Sequence, residues 1–257
     1  MIDNIFDSHT HYNSEKFDDD RDEILSSLPS KGVCGIINCA SDLESSVSSA
    51  ELSDKYNYIY FACGVHPHEA QKELKSNISD KIEVLLKKEK CVAIGEIGLD
   101  YYYDFSPREI QKEIFELQLS ISKDFDIPVI IHDREAHEDT LNLLKKYRPK
   151  GVVHCFSGSA EMAAEVIKLG MHIGLGGAVT FKNAKKPVAV AASIPEDKLL
   201  LETDCPYMAP VPHRGTRCTS DMISYTAQVI AGIRGTETQK LIDAATLNTK
   251  GLFNIKF

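Results

Sequence analysis

The chain has 257 residues, 43% of them hydrophobic and 26% charged, enough to bury a large core and in keeping with barrels that form one domain. Its formal net charge of −9 argues against a large basic footprint of the kind that coats nucleic acid. No apolar run approaches the ~20 residues of a membrane helix, and Asp3 stands where an export signal would be basic, so a soluble, cytoplasmic protein with no membrane partner is expected.

Seven cysteines with no Cys-x-x-Cys pair also fit a reducing cytosol. Cys34, Cys39, Cys63 and Cys91 lie in strand-like runs as small apolar fillers, while Cys155 and Cys205 adjoin His154 and Asp204 but face the other way along a strand.

In chain order, residues 2–6 read as a buried first strand, and 15–28 as a helix with Ile24, Leu25 and Leu28 in one stripe. Residues 33–39 form a second strand, Ser41 caps a helix to about residue 56, and the third strand, 58–65, delivers His66-Pro67-His68. A charged helix within 69–90 carries Ile78, Ile82, Leu85 and Leu86 on one side, and 91–97 is the fourth strand. Ser106-Pro107-Arg108-Glu109 has the form of a capping box, opening a helix whose stripe of Ile110, Ile114, Leu117 and Ile121 leads to the fifth strand at 127–132. Helix 135–147, strand 151–156, helix 159–169, strand 171–176, helix 185–192 and strand 199–203 follow. Two helices end the chain, one at 220–233 and one opened by a second capping box, Thr236-Glu237-Thr238-Gln239.

Eight continuous apolar strands alternating with helices predict an α/β fold, a (β/α)8 TIM barrel occupying 1–257 as a single domain. A doubly wound open sheet is the alternative. The barrel is favoured because metal-ligand residues end the first, fourth, fifth, sixth and eighth strands, and only a closed sheet brings the first beside the eighth.

Those residues carry the chemistry. In Asp7-Ser8-His9-Thr10-His11, alternate side chains of an extended chain share a face, so Asp7, His9 and His11 point together. Glu96, His132, His154 and Asp204, with Glu202 two residues before it, lie at or near the ends of their strands. Taken as His9, His11, Glu96, His132, His154 and Asp204, they exceed what one ion needs and fit two divalent ions bridged by a carboxylate. Zinc, manganese or magnesium would suit such N/O ligands. The natural chemistry is hydrolysis, and two dications would set the local field, so the acidic balance leaves a phosphodiester substrate open. His66 and His68 also end a strand, and one of them, first His66, is expected to meet substrate. His137 and His172 end no strand and read as incidental, and His213 lies in a loop.

Six motifs in this order resemble those of the TatD-related metal-dependent deoxyribonucleases: Phe-Asp-Ser-His-Thr-His, Gly-Val-His-Pro-His, Gly-Glu-Ile-Gly-Leu-Asp-Tyr, Ile-Ile-His-Asp-Arg, His-Cys-Phe-Ser-Gly and Leu-Glu-Thr-Asp-Cys-Pro-Tyr. The resemblance runs through to Asn248-Thr249-Lys250-Gly251-Leu252-Phe253. It implies an amidohydrolase-like barrel with one metal on His9, His11, Glu96 and Asp204 and another on Glu96, His132 and His154, with Glu96 bridging. Asp204 would take a proton from the attacking water, and Arg134, Arg214 and Arg217 would hold phosphate oxygens. The implied activity is cleavage of DNA from a 3′ end, with no obligate protein partner.

One departure stands out: the family's Arg-Gly-Lys-Arg-Asn-x-Pro is here Arg214-Gly215-Thr216-Arg217-Cys218-Thr219-Ser220, which lacks the lysine, asparagine and proline. A hydrolase of the same architecture acting on an ester or amide, such as an aminoacyl-tRNA, is the second reading. Amidohydrolases often carry a carboxylated lysine on the fourth strand, where this chain has Glu96, which favours the nuclease-like branch. A non-catalytic barrel that binds metal or nucleic acid is the third.

Overall fold

The computed structural model describes residues 2–256. Eight parallel strands lie in chain order in one sheet: β1 (Ile5–Thr10), β2 (Val33–Cys39), β3 (Ile59–Cys63), β4 (Cys91–Asp100), β5 (Val129–Arg134), β6 (Gly151–Val153), β7 (His172–Leu175) and β8 (Leu199–Leu201). The first and last strands meet just beyond β8, where the His11 amide donates to the Cys205 carbonyl at 2.8 Å and the Asp204 amide to the His9 carbonyl at 3.0 Å. The sheet therefore closes into the expected (β/α)8 barrel. Around it run α1 (Arg21–Ser27), α2 (Leu43–Lys55), α3 (Ala70–Glu73), α4 (Ile78–Leu86), α5 (Arg108–Phe125), α6 (His137–Tyr147), α7 (Ala160–Lys168), α8 (Lys185–Ser193), α9 (Ile223–Arg234) and α10 (Thr238–Leu252).

The two-residue period of the strands divides the core. Phe6, Ile37, Ala62, Ala93, Ile130, Val152 and Leu200 pack together in one cluster, to which Phe253 and Ile255 at the end of the chain are added. Their neighbours Ile5, Ile36, Phe61, Ile94, Ile131, Val153 and Leu199 belong to a second cluster shared with the helices. Adjacent residues serving two different cores is what a strand covered on both faces requires.

Several element ends differ from the sequence pattern, each where a tertiary partner or a local hydrogen bond wins. The first strand takes in the His9 motif, since Thr10 still pairs with Asn38 of β2, and β4 runs on to Asp100, paired with Arg134. The 69–90 stretch breaks into α3 and α4, where the Ser76 amide donates to the Glu73 carbonyl at 2.8 Å and the Ile78 amide to the Ser76 carbonyl at 2.9 Å. Neither expected capping box forms. Ser106 instead donates to the His68 carbonyl at 2.9 Å and accepts from Gln71, while Gln239 exchanges bonds with the Asp3 backbone. A reciprocal cap does form at α2, from Asp42 and Ser45 rather than Ser41. Cys39, Cys63 and Cys91 are buried fillers, Cys34 is exposed, and all seven thiols are free. No helix among the described residues is long and apolar enough to cross a membrane.

Candidate metal centre

The parallel strands bring their C-terminal ends to one mouth, where His9, Glu96 and His154 are buried at its floor. Buried glutamines on α5 fix two of the strand ends. Gln111 accepts from the Asp100 amide at 2.9 Å and donates to the Asp100 carbonyl at 3.1 Å, and Gln118 does the same for Val65, the residue before His66, at 2.8 and 3.0 Å. Gly98 lets β4 lie against β5: it adopts φ +147°, and a Cβ there would meet the His132 carbonyl oxygen at 2.0 Å.

Glu96 stands at the centre, with each of its two oxygens facing a different set of side chains. Oε2 lies 3.3 Å from His9 Nε2 and 3.5 Å from His11 Nε2, and Asp204 Oδ1 approaches the same two nitrogens at 3.9 and 3.4 Å. Oε1 lies 2.7 Å from His132 Nδ1 and 2.6 Å from His154 Nε2. The six ligand candidates are thus brought together.

The outward ring edges are held as well. His11 Nδ1 donates to the Cys39 carbonyl at 3.0 Å and His132 Nε2 to Asp100 Oδ2 at 3.2 Å, so both rings aim a second nitrogen inward. His66 is arranged in the opposite sense. Its Nδ1 accepts the His68 amide at 3.2 Å, which puts the proton on Nε2, facing Glu96 Oε1 at 3.6 Å. His66 is thereby a hydrogen-bond donor at the mouth, although its position beside Glu96 and His132 is within reach of an ion.

The electrostatics suit a cation. Burial works to raise the Glu96 carboxyl, but the imidazoles of His154, His66 and His9 outweigh it and hold the group well below the usual range. Asp204 is lowered in the same way, its burial overcome by the bond to His11. Burial, reinforced by the charge of His154, pushes His9 down to about 4, leaving it neutral as a ligand must be. Burial also opposes charge on His132, yet its bonds to Asp100 and Glu96 bring it up to about 9. Two buried polar atoms, His154 Nδ1 and Glu202 Oε2, have no hydrogen-bond partner here. Imidazole nitrogens and ionised carboxylates crowded together, with orphaned polar atoms beside them, fit a divalent metal.

Comparison with known proteins places this geometry. A model of the family described as TatD related DNase matches residues 6–254. The chain belongs to that family. Among TatD-related relatives, a Bacillus subtilis (strain 168) protein named metal-dependent hydrolase YabD is 40% identical over 254 residues, covering 98% of this chain and 99% of its own. A Citrobacter koseri protein named 3′-5′ ssDNA/RNA exonuclease TatD is 33% identical over 263 residues, covering 98% and 100%. The solved structure of the TatD homologue YjjV from Escherichia coli K12 superposes with a TM-score of 0.92 at 32% identity, covering 100% of both chains. The protein is a metal-dependent hydrolase of the TatD family.

In this TatD-related barrel the arginines divide. Arg134 lies with its guanidinium 4.4 Å from the centre of the Tyr102 ring and 4.7 Å from that of Tyr103, and Arg214 lies 4.1 Å over Phe181. Arg217 is instead engaged within the protein: it pairs with Asp20 and donates to the Lys16 carbonyl at 2.6 Å, tying the loop after β8 to the one after β1. Asp7, expected beside His9, turns to the barrel seam and accepts the Thr203 amide at 3.0 Å and hydroxyl at 2.6 Å.

Two carboxylates absent from the expected ligand set also border the centre. Asp100 joins His132 to His68, whose Nε2 lies 2.8 Å from Asp100 Oδ2. Glu202 is buried within 3.9 Å of His154 Nδ1, accepts the Cys155 amide, and is pushed up to about 8 by burial. Alternation points to both: Asp100 is two pleats beyond Glu96, and Glu202 one pleat before Asp204.

Proposed function

We propose that the protein is a divalent-metal-dependent phosphodiesterase that removes nucleotides from the 3′ end of single-stranded DNA, with the whole chain, 1–257, as one catalytic domain. The observation that carries this reading is the Glu96 carboxylate, whose two oxygens face separate sets of imidazoles at the mouth, with the cationic Arg134 ending β5 two residues beyond His132 and Arg214 on the loop after β8. Two divalent ions, zinc, manganese or magnesium, would be held by His9, His11, Glu96 and Asp204 and by Glu96, His132 and His154, and would supply an acidified water and a polarised phosphorus.

The chain's own residues do the rest. Asp204 is the most open of the two carboxylates, its side chain 20% exposed against 5% for Glu96, and it stays ionised, so it can accept the water's proton. His66 offers its Nε2 proton to a phosphate oxygen. Arg134 and Arg214 keep the edges of their guanidinium groups for phosphate while their faces lie on aromatic rings. Arg217 stays engaged with Asp20 and the Lys16 carbonyl and takes no phosphate.

The test is incubation of metal-reconstituted protein with DNA labelled at the 5′ end, single- and double-stranded. A ladder shortening from the 3′ end of the single strand is expected. No release of nucleotides under any of the three metals, together with turnover of small esters or amides, would overturn the nuclease reading.

A further inference from the structure

Beside the metal centre lies a feature that hydrolysis itself does not use. After β4 the chain places Tyr102, Tyr103 and Phe105 with 61%, 45% and 67% of their surface exposed. Among the described residues six aromatic side chains are exposed, and four of them, these three and Tyr207, sit on loops that follow strands at the mouth. Leaving rings in water is unfavourable, so their gathering at one place calls for a ligand with an aromatic face.

Their geometry narrows the ligand. Tyr103 and Phe105 are stacked, with ring centres 5.3 Å apart and planes 26° apart, and Tyr102 meets Tyr103 edge-on. His68 packs against both Tyr103 and Phe105, at 5.4 and 4.8 Å, and is bonded through Asp100 to His132. The shelf is therefore one histidine away from the imidazoles around Glu96. Arg134 lies against Tyr102 and Tyr103 and adds a cation whose edge can face a phosphate. A flat ring joined to an anion one sugar away is a nucleotide.

We propose that Phe105, backed by Tyr103 and with Arg134 beside them, stacks the base next to the phosphodiester that is cut. The inference rests on the nucleic-acid reading above and adds to it a binding mode. With a net charge of −9 the protein has little surface with which to hold a polyanion, so base stacking supplies affinity that a basic groove would otherwise provide. Stacking accepts any base and requires it to be unpaired, so the shelf favours single-stranded ends without reading their sequence.

The test uses the metal-loaded full chain and single-stranded oligonucleotides in which one abasic nucleotide is moved along from the 3′ end, with kcat and KM measured for the first cleavage. The abasic site is expected to raise KM roughly 5- to 150-fold at the position flanking the scissile bond and little elsewhere. Tyr103→Ala and Phe105→Ala should raise KM similarly on intact DNA but add little on the DNA abasic at that position, because base and ring form one interaction. Tyr103→Phe and Phe105→Tyr should keep wild-type KM.

Wild type that cuts DNA but ignores the abasic site overturns the shelf alone. So do alanine variants whose effect is the same on intact and abasic DNA. Wild type that cuts no DNA at all removes the nuclease reading and the shelf together.

Discussion

The floor of the barrel mouth and its rim are built on opposite principles. At the floor, His9, Glu96 and His154 are buried on or at the ends of strands, and His11 and His132 have their outward nitrogens tied to a carbonyl and a carboxylate. At the rim, Arg134, Arg214 and Lys16 lie on the faces of Tyr102 and Tyr103, Phe181 and Tyr207, all carried by loops or the last residue of a strand. A polar group at the floor has no water to fall back on, so each member depends on the others; a rim cation can be lost while its neighbours stay solvated. The floor should therefore respond to substitution steeply and cooperatively, the rim gradually and additively.

The largest effect is expected where both halves of the floor meet. Glu96→Ala removes the acceptor that His9, His11, His132 and His154 share, so elemental analysis should find metal lost from both positions and hydrolysis reduced to background. Wild-type metal content in Glu96→Ala would mean that the two sets of imidazoles do not depend on a common carboxylate. Asp204→Asn comes next. It keeps an oxygen near His11 but loses the charge and the basic lone pair, so kcat should fall by roughly 10²–10⁴ while most of the metal remains. Loss of metal with no separate loss of kcat in the reloaded protein would reduce Asp204 to a ligand.

The same contrast decides how much of the site is legible in the sequence. The floor is legible because its chemistry coincides with strand ends: an apolar run that stops at His132 or just before His154 states both its direction and the imidazole it delivers. Asp7 was misplaced because alternation gives the face of a strand and not its neighbour, and at the seam that neighbour is Thr203. Asp100 and Glu202 are harder to read because β4 runs farther than its apolar residues and because the eighth strand leads into two acids, of which only Asp204 comes last. The rim was least legible. Arg134, Arg214 and Arg217 all resemble phosphate-binding cations in sequence, yet nothing local shows that Arg214 lies over Phe181 or that Arg217 pairs with Asp20, since these contacts join segments far apart in the chain.

Asp100 sharpens the comparison at the boundary. It touches no other member of the cluster around Glu96 than His132, so Asp100→Asn tests how much the floor depends on support from behind a ligand. Loss of an outer partner of this kind typically costs 10–100-fold in metal affinity or activity, and Asp100→Asn should fall in that range by competition with a metal-binding dye. An unchanged affinity would show that Glu96 alone orients His132.

The smallest effects belong to the rim, and there the three arginines should separate. Arg134→Ala and Arg214→Ala are expected to keep full metal content but to raise KM on DNA. Each should also flatten the dependence of log affinity on log salt by about one unit, the signature of one lost phosphate contact. Lysine at either position should restore the salt slope more than the affinity, because a point charge replaces the cation but not the planar fork or its ring stacking. Arg217→Ala is the control. Its guanidinium already pairs with Asp20 and the Lys16 carbonyl, so its removal should leave the salt slope unchanged. The pair is largely solvated, so its loss should lower Tm only slightly. A salt slope flattened by Arg217→Ala as much as by Arg134→Ala would place Arg217 on the substrate and mean that its bond to Asp20 opens when DNA arrives.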